Sequence, residues 1–306
     1  MTVKSLLIIL NVLNKLIITP MDSHSILFKI EHKVAYITLN RPEVFNSFNR
    51  EMALRLQMLI DDCETNEGVR AIVLTGKGKA FCAGQDLKEV TDPELNPGFK
   101  KILEEHYNPI ITRIRAIKKP VIAAVNGVAA GAGANIALAC DIVVAHDKVN
   151  FIQAFSLIGL VPDSAGTFFL PRLIGFQKAL ALAMLGDKIS ASEADAMGMI
   201  YKCVPADDFD DTITKIALKL ANMPTKALGL IKELFNTSMT NDLEAQLALE
   251  SKLQIEAAST EDYAEGVAAF IEKRKPEFKG KENECRDYWR RNNGKWHSAG
   301  CSYSRL

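Results

Sequence analysis

The chain has 306 residues, long enough for one large domain or a domain with a smaller appendage, and able to bury a substantial core without a metal or disulfide staple. Its 37 basic and 37 acidic residues cancel, which removes any overall attraction to nucleic acid or an anionic membrane. The six cysteines (Cys63, Cys82, Cys140, Cys203, Cys285 and Cys301) contain no Cys-x-x-Cys pair, so neither a zinc nor a redox motif is expected and a reducing compartment, the cytoplasm, is.

At the N-terminus, Lys4 followed by the apolar run Ser5 to Ile18 imitates a signal sequence. Asn11, Asn14 and Lys15 interrupt it, it falls short of the roughly 20 apolar residues of a spanning helix, and no small-x-small cleavage site follows. Residues 1–20 are therefore expected to be an extension outside the fold, which begins near Met21. From Ile26 to Leu39 apolar and β-branched residues alternate as in two short paired strands. Asn49 is placed to cap a helix from Arg50 through Cys63, where Met52, Leu56, Leu59 and Ile60 recur at helical spacing. Val69 to Thr75 is the next buried strand, and this alternation indicates an α/β domain.

Gly76 to Leu87 lacks the Gly-x-x-x-x-Gly-Lys-Ser/Thr spacing of a phosphate loop. Residues 92–109, with Pro93, Pro97 and Pro109, read equally as a lid or an ordinary connection leading into a helix from about Phe99. An amphipathic helix over Asn108 to Ile117 and a strand over Pro120 to Val125 come next. A glycine-and-alanine turn, Asn126 to Asn135, then opens a helix over Ala134 to Cys140, followed by a strand over Ile142 to Ala145. Ile136 stands where the dinucleotide fingerprint needs its third glycine, so that reading loses its support. Helices are expected over Lys178 to Leu185 and Ala191 to Met197, with Ser190 or Ser192 as caps. After about Pro205 the pattern is helix upon helix (Asp208 to Ala221, Pro224 to Phe235, Asp242 to Ala257, Glu261 to Lys273), which suggests a boundary between a 21–205 core and a 206–280 helical unit. Residues 281–306 have no period and are expected to be a disordered or adventitious tail.

The glycine-and-alanine turn offers free N–H groups that can bind developing negative charge, and Asp163 sits near it in sequence within the apolar stretch Gly159 to Thr167. A desolvated carboxyl there would have a raised pKa suited to proton transfer, although Pro162-Asp163-Ser164 before a helical run also suits a helix cap. No His-Glu-x-x-His or Gly-x-Ser-x-Gly motif is present.

Three separated pieces, Phe81-Cys82-Ala83-Gly84-Gln85-Asp86-Leu87, the Asn126 to Asn135 turn, and Phe270 to Phe278, together resemble the crotonase (enoyl-CoA hydratase/isomerase) superfamily over roughly Ile26 to Gly280. The resemblance implies an α/β spiral of ββα units, a C-terminal helical trimerisation domain, and acyl-CoA thioester substrates. It implies no separate cofactor, since CoA belongs to the substrate, and no metal. The backbone N–H groups of Ala83 and Ala132 would form an oxyanion hole, while Val44, Phe45, Asp86, Leu87, Phe270 and Lys273 would contact CoA. Hydratases of the family use two glutamates, where this sequence has Asn135 and Phe155. Asp163 matches the acid/base position of several isomerases, and the surrounding runs are similar to the phenylacetate-pathway epoxide isomerases, with Ala165 and Phe168 departing from the usual glycine and tryptophan. The expected activity is isomerisation of an acyl-CoA, either opening a ring epoxide to an oxepin or shifting a 3-enoyl to a 2-enoyl thioester. Hydration and non-catalytic acyl-CoA binding are the alternatives. The expected assembly is a homotrimer or a dimer of trimers, with contact to other phenylacetate-pathway enzymes and neither nucleic acid nor membrane as partner.

Overall fold

In the computed structural model, which describes residues 25–280, the chain opens with a hairpin of β1 (Ile26–Glu31) and β2 (Val34–Leu39). His32 and Lys33 turn it with φ of 50° and 66°, the positive pair that a two-residue hairpin loop needs. The expected extension over residues 1–20 and tail over residues 281–306 lie outside the described residues. Helix α1 (Arg50–Thr65) begins where anticipated, its first turn capped by Asn49, whose side chain accepts from the Met52 N–H at 3.0 Å. Strands β3 (Ala71–Gly76) and β4 (Ala80–Cys82) follow, then the short helices α2 (Leu87–Thr91) and α3 (Phe99–Lys101).

A π-helical turn over Ile102–Tyr107 joins α3 to α4 (Asn108–Ala116). Its i→i−5 geometry is evident where Asn108 N–H donates to the Leu103 carbonyl. The wide turn leaves carbonyls of Glu105 and His106 for Gln57 of α1, whose side-chain amide reaches them at 2.7 and 3.2 Å.

Next come β5 (Val121–Val125), β6 (Val128–Ala130), α5 (Ala132–Ala139), β7 (Ile142–His146), β8 (Asn150–Ile152), α6 (Gly166–Ile174) and α7 (Phe176–Leu185). Strand β9 (Lys188–Ser190) leads to α8 (Ala191–Ala196), held by a capping box between Ser190 and Glu193, and to β10 (Lys202–Val204). The rest is helical: α9 (Phe209–Ala221), α10 (Thr225–Ser238), α11 (Leu243–Ala258) and α12 (Glu261–Glu272).

Two sheets result. One runs in the order β1-β2-β3-β5-β7-β10 and the other β4-β6-β8-β9. Strands β2, β3, β5, β7 and β10 are parallel, as are β4, β6 and β8, with β1 and β9 antiparallel at the margins. Each pass therefore lays one strand in the first sheet, turns, and lays the next in the second: β3 then β4, β5 then β6, β7 then β8. A helix closes each pass, which is the ββα spiral.

Strand β3 is buried on both sides, as a central parallel strand must be. Ile72 and Leu74 face the main core, while Ala71 and Val73 face a second cluster built with Phe209, Ile213, Ala217 and Ala221 of α9. The first helix after Pro205 thus covers the sheet. Helix α10 is tied down by Lys232, whose buried ammonium donates to Asp141 and to the Ile114 carbonyl, both at 2.7 Å.

Candidate active site

Two loops meet at the C-terminal ends of β4 and β6. Gly84 has φ +93°, and a Cβ added there would stand 3.1 Å from the Ala130 carbonyl and 3.5 Å from the Ala132 nitrogen. Only glycine allows both the conformation and the approach.

Ala132 is the first residue of α5, whose N-cap, Gly131, has no side chain to cap the turn. Its N–H has no acceptor among the described residues and lies at the positive end of the helix. The helix starts two residues earlier than the sequence pattern suggests, and that places Ala132 in the donor position.

Ala83 does not fill the role expected of it. Its N–H donates to the Phe45 carbonyl at 3.0 Å and is consumed there. The free donor in this loop is Gln85. A single parallel bridge joins Gln85 to Phe48, in which the Phe48 N–H donates to the Gly84 carbonyl at 2.7 Å and the Asp86 N–H to the Phe48 carbonyl at 2.8 Å. In a trans peptide the carbonyl and the following N–H point in opposite directions. The Gly84 carbonyl turned toward Phe48 therefore turns the Gln85 N–H away from it, and that N–H has no acceptor among the described residues. Gln85 and Ala132, on touching loops, supply two unpaired main-chain donors, the arrangement that stabilises an oxyanion.

Asp163 approaches from the loop before α6. The cap of that helix is Ala165, without any side-chain capping bond, so the Asp163 carboxylate is not spent as a helix cap. Instead Oδ1 accepts from the Ser164 hydroxyl at 2.8 Å. Burial raises the carboxyl above the usual aspartate range, and the Ser164 hydrogen bond pulls it part of the way back. The loop is bent by left-handed Ser164 and Ala165, with φ of 50° and 59°. It is pinned to α5 by Asn135, whose side-chain N–H donates to the Asp163 carbonyl at 2.8 Å and whose oxygen accepts from Gln153 at 2.8 Å. A Cβ at Gly166 would collide with the Asn135 amide, so the two elements are in direct contact. Phe155 is buried with its ring against Gly131, an apolar wall beside the Ala132 donor. An apolar cavity of about 170 Å³ adjoins the same loop, lined by Pro162, Gly166, Leu170, Phe176 and Ala179.

The positions expected to contact CoA divide into two groups. Val44, Phe45, Asp86 and Leu87 lie on the loops around the Gln85 donor, with Leu87 67% exposed. The Asp86 carboxylate is committed to the fold: it caps α2 through the Lys88 N–H at 3.0 Å and pairs with Arg41 at 2.7 Å. Phe270 is 86% exposed on α12, which packs within the chain against α11, and Lys273 ends that helix in a left-handed conformation. Among the described residues no group of histidines, cysteines and carboxylates could hold a metal ion, and no helix is long and apolar enough to cross a membrane.

Residues 29–281 match the family described as enoyl-CoA hydratase/isomerase. The sequence is 46% identical over 258 residues to the 1,2-epoxyphenylacetyl-CoA isomerase of Escherichia coli, covering 84% of this chain and 98% of that protein. It is 45% identical over 261 residues to a Rhodobacter capsulatus protein described as a probable enoyl-CoA hydratase, covering 85% of this chain and 100% of the relative. Among solved structures, an enoyl-CoA hydratase from Bacillus anthracis superposes with a TM-score of 0.79 at 33% identity, covering 84% of this chain and 100% of that one.

Proposed function

This chain belongs to the enoyl-CoA hydratase/isomerase family, and within it we propose that the protein is an acyl-CoA isomerase. The thioester oxygen of the substrate accepts from the Gln85 and Ala132 N–H groups, and Asp163 carries the proton. With a 3-enoyl-CoA, the Asp163 carboxylate removes a proton from C2, the charge passes to the thioester oxygen as an enolate, and the proton returns at C4 to leave the conjugated 2-enoyl thioester. With a ring 1,2-epoxide of a phenylacetyl thioester, the same removal at C2 and return of the proton to a ring carbon accompany expansion to the seven-membered oxepin. Neither course changes the composition of the substrate.

The observation that carries this reading is the desolvated Asp163 carboxylate on the loop pinned to α5, the helix whose first N–H is one of the two unpaired donors. Hydration needs a second acid/base to orient water, and Asn135 and Phe155 cannot serve: one side chain is committed to Asp163 and Gln153, the other is apolar and buried. The identity to the Escherichia coli isomerase supports the epoxide as substrate. The similarity to the Rhodobacter capsulatus protein makes hydration the reading to test against. We extend the proposal to a cytoplasmic homotrimer or dimer of trimers, whose assembly would cover exposed Phe235, Leu243, Leu247, Ile255 and Phe270 of α10 to α12. Contact with the other phenylacetate-pathway enzymes belongs to the same proposal.

Purified protein incubated with the epoxide, a 3-enoyl-CoA and a 2-enoyl-CoA tests the assignment. Isomerisation creates enoyl-thioester absorbance from the 3-enoyl substrate and an oxepin of unchanged mass from the epoxide. A product heavier by one water from the 2-enoyl substrate, with the other two left untouched, overturns it.

A further inference from the structure

We infer that Tyr107 and Glu89 are positioning residues that clamp the side-chain amide of Gln85 and thereby fix the direction of the Gln85 main-chain N–H. The inference rests on the assignment of that N–H to the thioester oxygen. The Gln85 N–H belongs to the peptide unit that begins at Gly84, the residue of the loop with the least restricted backbone. Phe48 holds the carbonyl of that unit. That bond opposes rotation of the planar unit from its Gly84 side, and the Gln85 side chain adds a second hold from the other side.

The Tyr107 hydroxyl donates to Gln85 Oε1 at 2.9 Å, and Gln85 Nε2 donates to Glu89 Oε2 at 2.7 Å. The second Glu89 oxygen accepts from the Arg50 N–H at 2.7 Å, at the start of α1. Burial drives the Tyr107 phenol well above its ordinary range, with the nearby carboxylates of Asp163, Glu89 and Asp86 adding to the effect, so it is a donor. A donor at Oε1 and a carboxylate at Nε2 admit only one orientation of the amide.

The clamp closes on itself, because the Tyr107 ring packs edge-on against Phe48, centroids 6.0 Å apart at 68°. Phe48 holds Gln85 by its main chain and Tyr107 holds it by its side chain. The π turn over Ile102–Tyr107 gives this arrangement a reason. Its extra residue sets the angular position at which Tyr107 leaves the helix, and Gln57 satisfies the carbonyls that the turn releases.

The test uses 2-hexenoyl-CoA carrying carbon-13 at the thioester carbonyl, with infrared difference spectra of the bound ligand and steady-state kinetics on the 3-enoyl isomer. The wild-type protein is expected to lower the carbonyl stretch on binding. Tyr107→Phe should move the stretch back toward its free value and cut kcat by about tenfold or more, with the Kd for the ligand changed by no more than about twofold. Glu89→Gln, which keeps the shape but loses one of two accepted hydrogen bonds, should act in the same direction and provides the reading if Tyr107→Phe does not fold. Full retention of both the lowered stretch and kcat in the folded variants overturns the clamp. A wild-type complex with no lowered stretch overturns the thioester-oxygen assignment itself.

Discussion

The carboxamide of Asn135 holds the main-chain carbonyl of Asp163 at 2.8 Å while its oxygen takes a hydrogen bond from Gln153. It is completely buried, so each of those bonds is made without competition from water. Asn135→Ala strands the Gln153 amide N–H and leaves the Asp163 carbonyl with the Gly166 N–H, at 2.9 Å, as its remaining donor. Leaving a buried polar group unpaired costs about 1–3 kcal/mol, so a clear loss in the urea midpoint is expected. Because the other bond lost is the one that ties the Asp163 peptide to α5, kcat should fall alongside it. An unchanged midpoint would show that the pin contributes nothing.

Asp163→Asn separates chemistry from binding. Removal of the proposed proton carrier should lower kcat by about 10²–10⁴-fold, with acyl-CoA binding nearly retained. It should also stabilise the protein at neutral pH. A carboxyl raised above its unfolded value contributes stability that is complete below the unfolded pKa and lost as pH rises through the folded one, so at neutral pH the ionised group is a burden. Thermal melts of the two proteins check the sign.

The acid limb of the kcat/KM profile reports the same carboxyl, since the base must be ionised to act. That limb should lie above the ordinary aspartate range. Ser164→Ala removes the hydrogen bond that favours ionisation and should move the limb to higher pH. A shift to lower pH would exclude Asp163 as the titrating group.

Gly84→Ala inserts a methyl where the loop approaches Ala130 and Ala132, at a φ of +93°. Strain of this kind is on the order of 1–3 kcal/mol. The displaced loop carries one of the two donors, so the expected result is a folded protein with kcat reduced by about 10²-fold or more. Circular dichroism with steady-state kinetics decides it.

Lys232→Met leaves Asp141 with Arg115 as its remaining charged partner in a largely buried setting. With Arg115 and the Val121 N–H still on Asp141, the loss is that of a hydrogen bond to a charged group, about 1.5–3 kcal/mol. Because Lys232 sits on α10 and Asp141 before β7, the destabilisation should be shared by the sheet and the C-terminal helices in one cooperative unfolding transition. Two separate transitions in the wild-type protein would show that the link does not couple them.

Much of this was legible in the residues. The alternation from Ile26 to Leu39 and the Asn49 cap were visible because each rests on neighbours in sequence. Strands β6, β8 and β9 have three residues each, too few to display a period. The π turn was hidden because one added residue barely disturbs a helical pattern. The apolar flanks of Asp163 signalled its desolvation, but only the position of Ala165 at the cap removed the alternative reading. The motif around Gly84 located the first loop, yet which N–H in it is free depends on Phe45 and Phe48, and pairing across such a separation leaves no local trace. Tyr107, 22 residues from Gln85, leaves no trace for the same reason.

Both proposed oxyanion donors are peptide N–H groups, and among the coded residues only proline lacks that group; every other substitution changes what the residue carries beyond Cα. A scan replacing every side chain in turn would therefore pass over the two hydrogen bonds most central to the proposed chemistry, registering only the glycine, phenylalanine and glutamine that aim them. Ala132→Pro deletes one donor at the first helical position, where proline is best tolerated, whereas at Gln85 an ester bond in place of the amide deletes the donor without losing the side chain. Drift in the coding sequence can thus misdirect this site by degrees through most changes, and erases a donor outright only where proline enters at Gln85 or Ala132.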